Sequence, residues 1–279
     1  MKWFGNLPRN RRGPINRRKT VCLGLLLCLL LLPGWSAQAQ ETLESQGIRF
    51  RLIPGGTYLL GSPADESGRY ADEALPHRVS LKPFYISVTE ITNAQYARFL
   101  KATGHKAPLY WGDKNLNAPN QPVVGVTWFD AVAFCRWLTR ITGVTCRLPS
   151  EAQWEAAARG GLIGQPYPWG DQVPDAGGVR RANLRHDRTA QDGFLFSAPV
   201  GSFAANGYGL FDMAGNVSEW CRDRYVPLRR GGPFKSGPLR LLKGGSWISG
   251  ARDLRGAARQ SAPTRYADGF IGFRVVRLP

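Results

Sequence analysis

The sequence predicts an α+β fold with little regular secondary structure, on three observations. Strand-like segments open and close the chain, three capped helices fall together between residues 92 and 160, and periodicity disappears after residue 160. Strands and helices that are segregated rather than alternating point away from a doubly wound parallel sheet.

The first element is Ile48-Arg49-Phe50-Arg51-Leu52-Ile53, whose alternation of apolar and basic residues suits a half-buried strand ending at Pro54-Gly55-Gly56. A second strand is expected over Val79 to Val88. Between them Asp65, Glu66, Asp72 and Glu73 read as an acidic loop in solvent, with paired carboxylates for acid/base chemistry as the alternative. Helices follow at Thr92-Asn93-Ala94-Gln95, Thr127-Trp128-Phe129-Asp130 and Ser150-Glu151-Ala152-Gln153. The first is a capping box, in which the Thr92 hydroxyl and the Gln95 amide satisfy orphan backbone donors, and the N-caps Thr127 and Ser150 open the other two. Gly104, Gly143 and Gly160-Gly161 stop them. Val132, Cys135, Leu138 and Ile141 space as the inward face of the second helix, which makes Cys135 a core residue rather than a nucleophile. Short strands are expected again over Arg240 to Trp247 and Phe270 to Val276.

Between these lies Asn206 to Trp220, NGYGLFDMAGNVSEW, too rich in turn residues for a helix and too aromatic for a loose linker. Its carbonyls need partners. A hard cation ringed by the oxygens of Asp212, Asn216 and Glu219 is one solution, and a hydrogen-bonded Ω-loop is the other.

The net charge of +17 is concentrated at one end, since seven basic residues and no acidic one fall in residues 1–39, leaving +10 on the rest. That first stretch has a basic beginning, an apolar run from Val21 to Leu32, a Pro33-Gly34 break and an Ala37-Gln38-Ala39 cleavage pattern, and reads as a signal peptide cut before Gln40. An uncleaved anchor is the alternative, although the run is short for a membrane span. Cleavage leaves no stable span, points to the periplasm and argues against nucleic acid as a partner. Residues 40–279 then form one domain with no linker or internal repeat. The three remaining cysteines, Cys135, Cys146 and Cys221, allow at most one intramolecular disulfide. His77, His105 and His186 are too scattered for a zinc site, and no P-loop, GxSxG or CxxC occurs. Arg222, Arg224, Arg229, Arg230, Lys235, Arg240 and Lys243 make a basic sector, either a solvated rim or an anion-binding surface.

The chain resembles the formylglycine-generating enzyme, or sulfatase-modifying factor, family from Ile53-Pro54-Gly55-Gly56 to Gly272-Phe273-Arg274-Val275. The motifs between include Glu90-Ile91-Thr92-Asn93, Pro122 to Trp128, Arg147-Leu148-Pro149-Ser150-Glu151-Ala152-Gln153-Trp154-Glu155, Pro168-Trp169-Gly170-Asp171, the 206–220 stretch and Lys243-Gly244-Gly245-Ser246-Trp247. The resemblance implies a variant of the C-type-lectin-like fold with two structural calcium ions (Ca2+). One would be held by Asn183, the Leu184 carbonyl, Asp192 and the Phe194 carbonyl. The other would be held by Asp212, the carbonyls of Gly215 and Val217, and Glu219.

The family's oxidases bind copper through two cysteines shortly after Gly-Gly-Ser, because soft Cu(I) prefers thiolates. Here Ser249 stands at the first place and Leu254 near the second, and Ser218 replaces a tryptophan usual between Val217 and Glu219. No copper is therefore expected. The chain is similar to the branch without copper cysteines, whose members oxidise or mature secreted metabolites such as pyoverdine. This implies a periplasmic maturation or tailoring factor acting on an exported peptide, metabolite or protein client. A non-catalytic binding or assembly module is the alternative, and a true formylglycine-generating oxidase is the least favoured. Candidate pocket residues are Ser246, Ser249, Arg252, Asp253 and Arg259.

Overall fold

The computed structural model describes residues 41–185, 192–226 and 239–279. The expected signal peptide, His186, and the basic residues Arg229, Arg230 and Lys235 lie outside the described residues. Among the described residues, no helix is long and apolar enough to cross a membrane.

Eleven short strands and three α-helices occur among these residues, consistent with the α+β expectation. Strands β1 (Thr42–Ser45) and β2 (Ile48–Ile53) form a hairpin whose two-residue turn, Gln46-Gly47, takes positive φ at both positions. That is the turn whose twist matches paired strands. The strand expected over Val79 to Val88 is two strands. Lys82-Pro83 interrupts it, because proline has no N–H for a ladder. The first part, β4 (His77–Leu81), pairs with β3 (Gly56–Leu60) in a separate ribbon. The second, β5 (Phe84–Ser87), pairs with β2.

The Thr92–Gln95 capping box forms, and boxes at Thr127–Asp130 and Ser150–Gln153 form with it, opening α1 (Asn93–Thr103), α2 (Trp128–Thr142) and α3 (Glu151–Ala158). The buried face of α2 is rotated from the expected one. Ala131, Phe134, Cys135, Trp137 and Leu138 point inward, whereas Ile141 is exposed. Aromatic packing decides this, since Phe134 stacks on Tyr96 of α1 at 5.6 Å and meets Phe273 edge-on at 5.4 Å.

Strand β6 (Cys146–Arg147) follows α2, and β7 (Ser218–Arg224), β8 (Leu239–Lys243) and β9 (Gln260–Pro263) build the second half. The chain ends in β10 (Ile271–Gly272) and β11 (Val276–Arg277), so the single strand expected over Phe270 to Val276 is also divided. One sheet runs β1-β2-β5-β11-β6, and the other runs β10-β7-β8-β9 with β10 parallel to β7. In the 206–217 stretch, Leu210 and Met213 share a core cluster with Trp154, Ala157 and Ala158 of α3 and with Leu241 of β8. Asn206 closes its start by donating to the Ala157 and Ala158 carbonyls and accepting from the Tyr208 and Leu210 N–H groups.

Candidate functional site: an open cleft beside two oxygen-rich loops

The turn after Gly244-Gly245 brings Ser246 and Ser249 together. The Ser249 hydroxyl accepts from the Ser246 N–H at 3.0 Å, and the two hydroxyl oxygens lie 3.3 Å apart. They border a cleft of about 410 Å3 lined also by Ser218, Asp253, Gln260, Ser261, Tyr266 and Phe270. Ser218 is buried at its floor and donates to the Gln260 amide oxygen at 3.1 Å. Asp253 is the one charged side chain in the lining, with one carboxylate oxygen accepting from the Tyr70 hydroxyl at 2.7 Å.

Three of the five expected pocket residues thus meet, and two do not. The Arg252 guanidinium carbon lies over the Tyr70 ring, 3.6 Å from its centroid, and the group donates to the Gly68 carbonyl. Arg259 forks onto Glu151 and lines a different groove, with His77, Arg222 and Asp223. Both guanidinium groups are drawn to partners distant in sequence, which local pattern does not reveal. Gln260, Ser261, Tyr266 and Phe270 went unforeseen, because they share a side only once β9 and β10 flank β8 and β7. Leu254 is fully buried among Tyr167, Ala182, Leu184 and Ala214 and does not line the cleft. Among the described residues, no cysteine lines it either. Cys135, on the inward face of α2, and Cys146 lie in one core cluster, Cys221 packs beside Trp154 and Leu241, and burial pushes all three thiols up.

Two further long-range assemblies revise the sequence reading. The acidic loop is not free in solvent. Arg255, itself buried, donates to Glu66 at 2.7 Å and to both oxygens of Glu73, which also accepts from the Ser62 hydroxyl and the Tyr70 N–H. Burial alone would raise Glu73, but these bonds hold it below the usual carboxylate range. Lys243 is not on a basic rim. It is wholly buried, with its ammonium 3.8 Å from Glu155.

The first expected calcium set gathers around Asn183. Its Oδ1 is buried without a hydrogen-bond partner, while its Nδ2 donates to the Phe196 carbonyl at 2.8 Å. Asp192 accepts from the Leu184 and Phe194 N–H groups, both at 3.0 Å. An unmatched amide oxygen beside a carboxylate, with hard oxygen donors throughout, fits Ca2+. Gly215 threads close by, since a Cβ there would lie 2.1 Å from the Asn183 carbonyl oxygen.

The second set is denser in charge. Arg274 forks onto Glu219 with both bonds at 2.7 Å, and Trp154 donates its indole N–H to the same carboxylate at 2.6 Å. Asp212 accepts from the Gly201 N–H at 2.6 Å. Burial pushes Asp212 up to about 6, against the lowering effect of that N–H and of Arg274. Glu90 neighbours it. Burial and the Asp212 charge push Glu90 well above the usual range; no donor reaches its Oε2, and its carboxyl lies within hydrogen-bonding reach of the Asp212 carboxyl. Three buried carboxylates around one guanidinium, with one oxygen unmatched, also fit a divalent cation. Among the described residues no three His, Cys, Asp or Glu side chains converge as a metal group. A cation here therefore depends on amide and carbonyl oxygens as well. Asn216 joins the two sets, donating to Glu90 at 3.0 Å, with its Oδ1 3.4 Å from the Asn183 amide nitrogen.

Residues 36–279 match the family model of the sulfatase-modifying factor enzyme 1-like domain. The formylglycine-generating enzyme of Streptomyces coelicolor is 37% identical over 280 residues, covering 80% of this chain and 87% of its own. The mouse inactive C-alpha-formylglycine-generating enzyme 2 is 31% identical over 243 residues, covering 71% of this chain and 74% of its own. Among solved structures, PvdO from Pseudomonas aeruginosa superposes with a TM-score of 0.75 at 30% identity, covering 86% of this chain and 98% of that one.

Proposed function

The chain belongs to the sulfatase-modifying factor, or formylglycine-generating enzyme, family, and from that premise we propose that it is a periplasmic maturation or tailoring factor working without a copper dithiolate. The observation that carries the reading is the lining of the cleft. Ser249 stands where the resemblance places the first copper cysteine and spends its hydroxyl on the Ser246 N–H, while Leu254 is packed into the interior. A hydroxyl and an aliphatic carbon do not replace two thiolates for Cu(I). With Ser218 in place of a tryptophan, the floor is open and edged by hydroxyls, an amide and one carboxylate. Such a lining suits an uncharged or cationic hydrogen-bond donor better than an anion. Calcium at the Asn183 and Asp212 sets has a structural part in this reading, fixing the irregular loops behind the cleft.

The oxidase reading is tested by incubating the protein with a cysteine-containing sulfatase peptide, Cu(I) and oxygen, and following the mass loss of thiol-to-aldehyde conversion. No conversion is expected. Turnover abolished by replacing one of Cys135, Cys146 or Cys221 would overturn the reading. For the client, protein recovered from a periplasmic fraction is expected to begin at Gln40 and to retain a small molecule detectable by mass spectrometry. Ser218→Trp, which refills the cleft floor, is expected to lose it. A stable protein partner retained equally by Ser218→Trp would favour the non-catalytic assembly module instead.

A further inference from the structure

The basic sector read from the sequence has no part in the cleft, and the fold divides it. Lys243 is in the core, whereas Arg222 and Arg224 stay exposed on β7 and Arg240 stands half-buried on β8. Arg224 and Arg240 are direct cross-strand partners. Like charges in that position repel, and paired strands gain by placing opposite charges there. Arg147 and Arg222 make a second like-charged pair. Burial and the Arg222 charge push Arg147 down, as burial and the Arg224 charge push Arg240 down. Among the described residues one acid, Asp223, acts on both pairs, and it already accepts from the Glu151 N–H at the start of α3 at 2.7 Å. Residues 227–238, which join β7 to β8 in the sequence, bring three more basic residues and no acidic one.

Arg240 is also held in place before any ligand arrives. Its guanidinium carbon lies 4.1 Å from the centre of the Trp128 ring, its Nη1 donates to the Arg222 carbonyl, and its Nε is buried without a hydrogen-bond partner among the described residues. The indole is itself fixed, donating to the Cys221 carbonyl at 3.0 Å. Among the described residues the Arg224 side chain has neither a hydrogen bond nor an ion pair. We propose that Arg224 and Arg240 together bind a phosphate- or sulfate-type oxyanion at the end of the β7–β8 ladder. The cleft lies at the other end of these strands, beside Ser218 and Leu242. A tetrahedral dianion offsets both cations at once and offers enough oxygens for two guanidinium forks, whereas a carboxylate offsets one. Arg147 and Arg222 strengthen the field that draws an anion there. Stacking on Trp128 restricts Arg240 in advance, which lowers the entropy lost on binding.

The test uses the whole protein and Arg224→Gln, with Lys101→Gln at an exposed position of α1 as an equal change of charge elsewhere. Binding of inorganic phosphate is measured by calorimetry, and melting temperatures are compared in phosphate and in chloride at one ionic strength. The parent is expected to bind phosphate saturably and to melt higher in it, because a ligand of the native state stabilises by mass action. Arg224→Gln is expected to bind about tenfold more weakly, the loss of one charge-assisted contact. In chloride it should melt no lower than the parent, since a cross-strand repulsion is gone. Lys101→Gln should bind as the parent does. Arg240→Lys, which keeps the charge without the fork, should bind less tightly than the parent.

Phosphatidylglycerol vesicles separate the sources of the group. Vesicle binding that inorganic phosphate displaces and Arg224→Gln weakens would support the site and assign it a lipid headgroup. Phosphate binding without vesicle binding would support it and assign a free phosphate or sulfate group. No saturable phosphate binding, with equal melting in phosphate and chloride, would overturn the proposal and leave the sector a solvated rim. Equal losses in Arg224→Gln and Lys101→Gln would also overturn it, in favour of attraction by net charge alone. Vesicle binding indifferent to inorganic phosphate would do the same, since no discrete oxyanion site is then at work.

Discussion

Arg255 and Arg274 are both buried guanidinium groups facing carboxylates far away in sequence, but they leave their surroundings in opposite conditions. Around Arg255, Glu73 receives bonds from Arg255, Ser62 and Tyr70, and Glu66 receives its own. Around Arg274 there are three acids, and only Glu219 is matched by charge. The result shows in the carboxyls themselves, with Glu73 held below its usual range and Asp212 and Glu90 pushed above it. A saturated cluster is a clamp, here fixing the 62–76 loop onto the segment that lines the cleft. A cluster with surplus negative charge holds protons more tightly, as the raised Asp212 and Glu90 carboxyls show.

The largest separation between the two is expected on removing each arginine. Arg274→Met strands Glu219 beside two further buried acids and should cost about 3–5 kcal/mol, the range for breaking a buried pair from one side. Arg255→Met should cost less, about 2 kcal/mol, since Glu73 keeps the Ser62 and Tyr70 donors. Urea denaturation gives both values, and an equal or reversed order would break the distinction.

Calcium sharpens it next. Moving the parent from calcium at 100 times its dissociation constant into chelator should lower stability by about 2.7 kcal/mol per site. Asp212→Ala should lose one site's share of that response, whereas Glu73→Gln should keep the whole of it. A calcium response that depends on Glu73 would show that the saturated cluster is not merely a clamp.

The smallest effect is in pH, and its sign differs between the clusters. Glu73 has a depressed folded value, so its stabilisation is complete above its unfolded value of about 4.3 and is lost as pH falls through the folded one. Glu73→Gln should blunt that acid loss. Asp212 is raised to about 6, so the folded state holds an extra proton between the unfolded value of about 3.9 and that point. Without calcium, stability should therefore fall as pH rises across this window, and Asp212→Asn should flatten the fall. Urea midpoints measured from pH 3 to 7 would show both limbs, and a fall unaffected by Asp212→Asn would remove the contribution assigned to it.

The helices were legible because their signals are local. Thr92 with Gln95, Thr127 with Asp130 and Ser150 with Gln153 each settle a helix start within four residues, and all three boxes close. The Cys135 reading followed from the same periodicity, although the exact face of α2 waited on Tyr96 and Phe273. The family motifs likewise marked the segments that carry the cleft, and Ser218, Ser246 and Ser249 fall there. Arg252 and Arg259 were misplaced because a guanidinium's partner is chosen in three dimensions. Their partners lie at Gly68 and Glu151, more than a hundred residues away in sequence.

By itself, then, the sequence determined what depends on neighbours along the chain: the segregated α+β order, the capped helices, the irregular turn-rich stretch that begins at Asn206, and the serine and leucine at the positions where the resemblance places thiols. The tertiary structure decided what depends on charge balance across the interior. The loop at Glu66 and Glu73 looked solvated until Arg255 arrived from the other end of the chain, and Lys243 looked like a surface base until Glu155 came beside it. Electrostatic energy grows as water is excluded, so the same acidic residue is inert on a surface and consequential in a core. Which of the two it is depends on burial, and burial is a property of the fold.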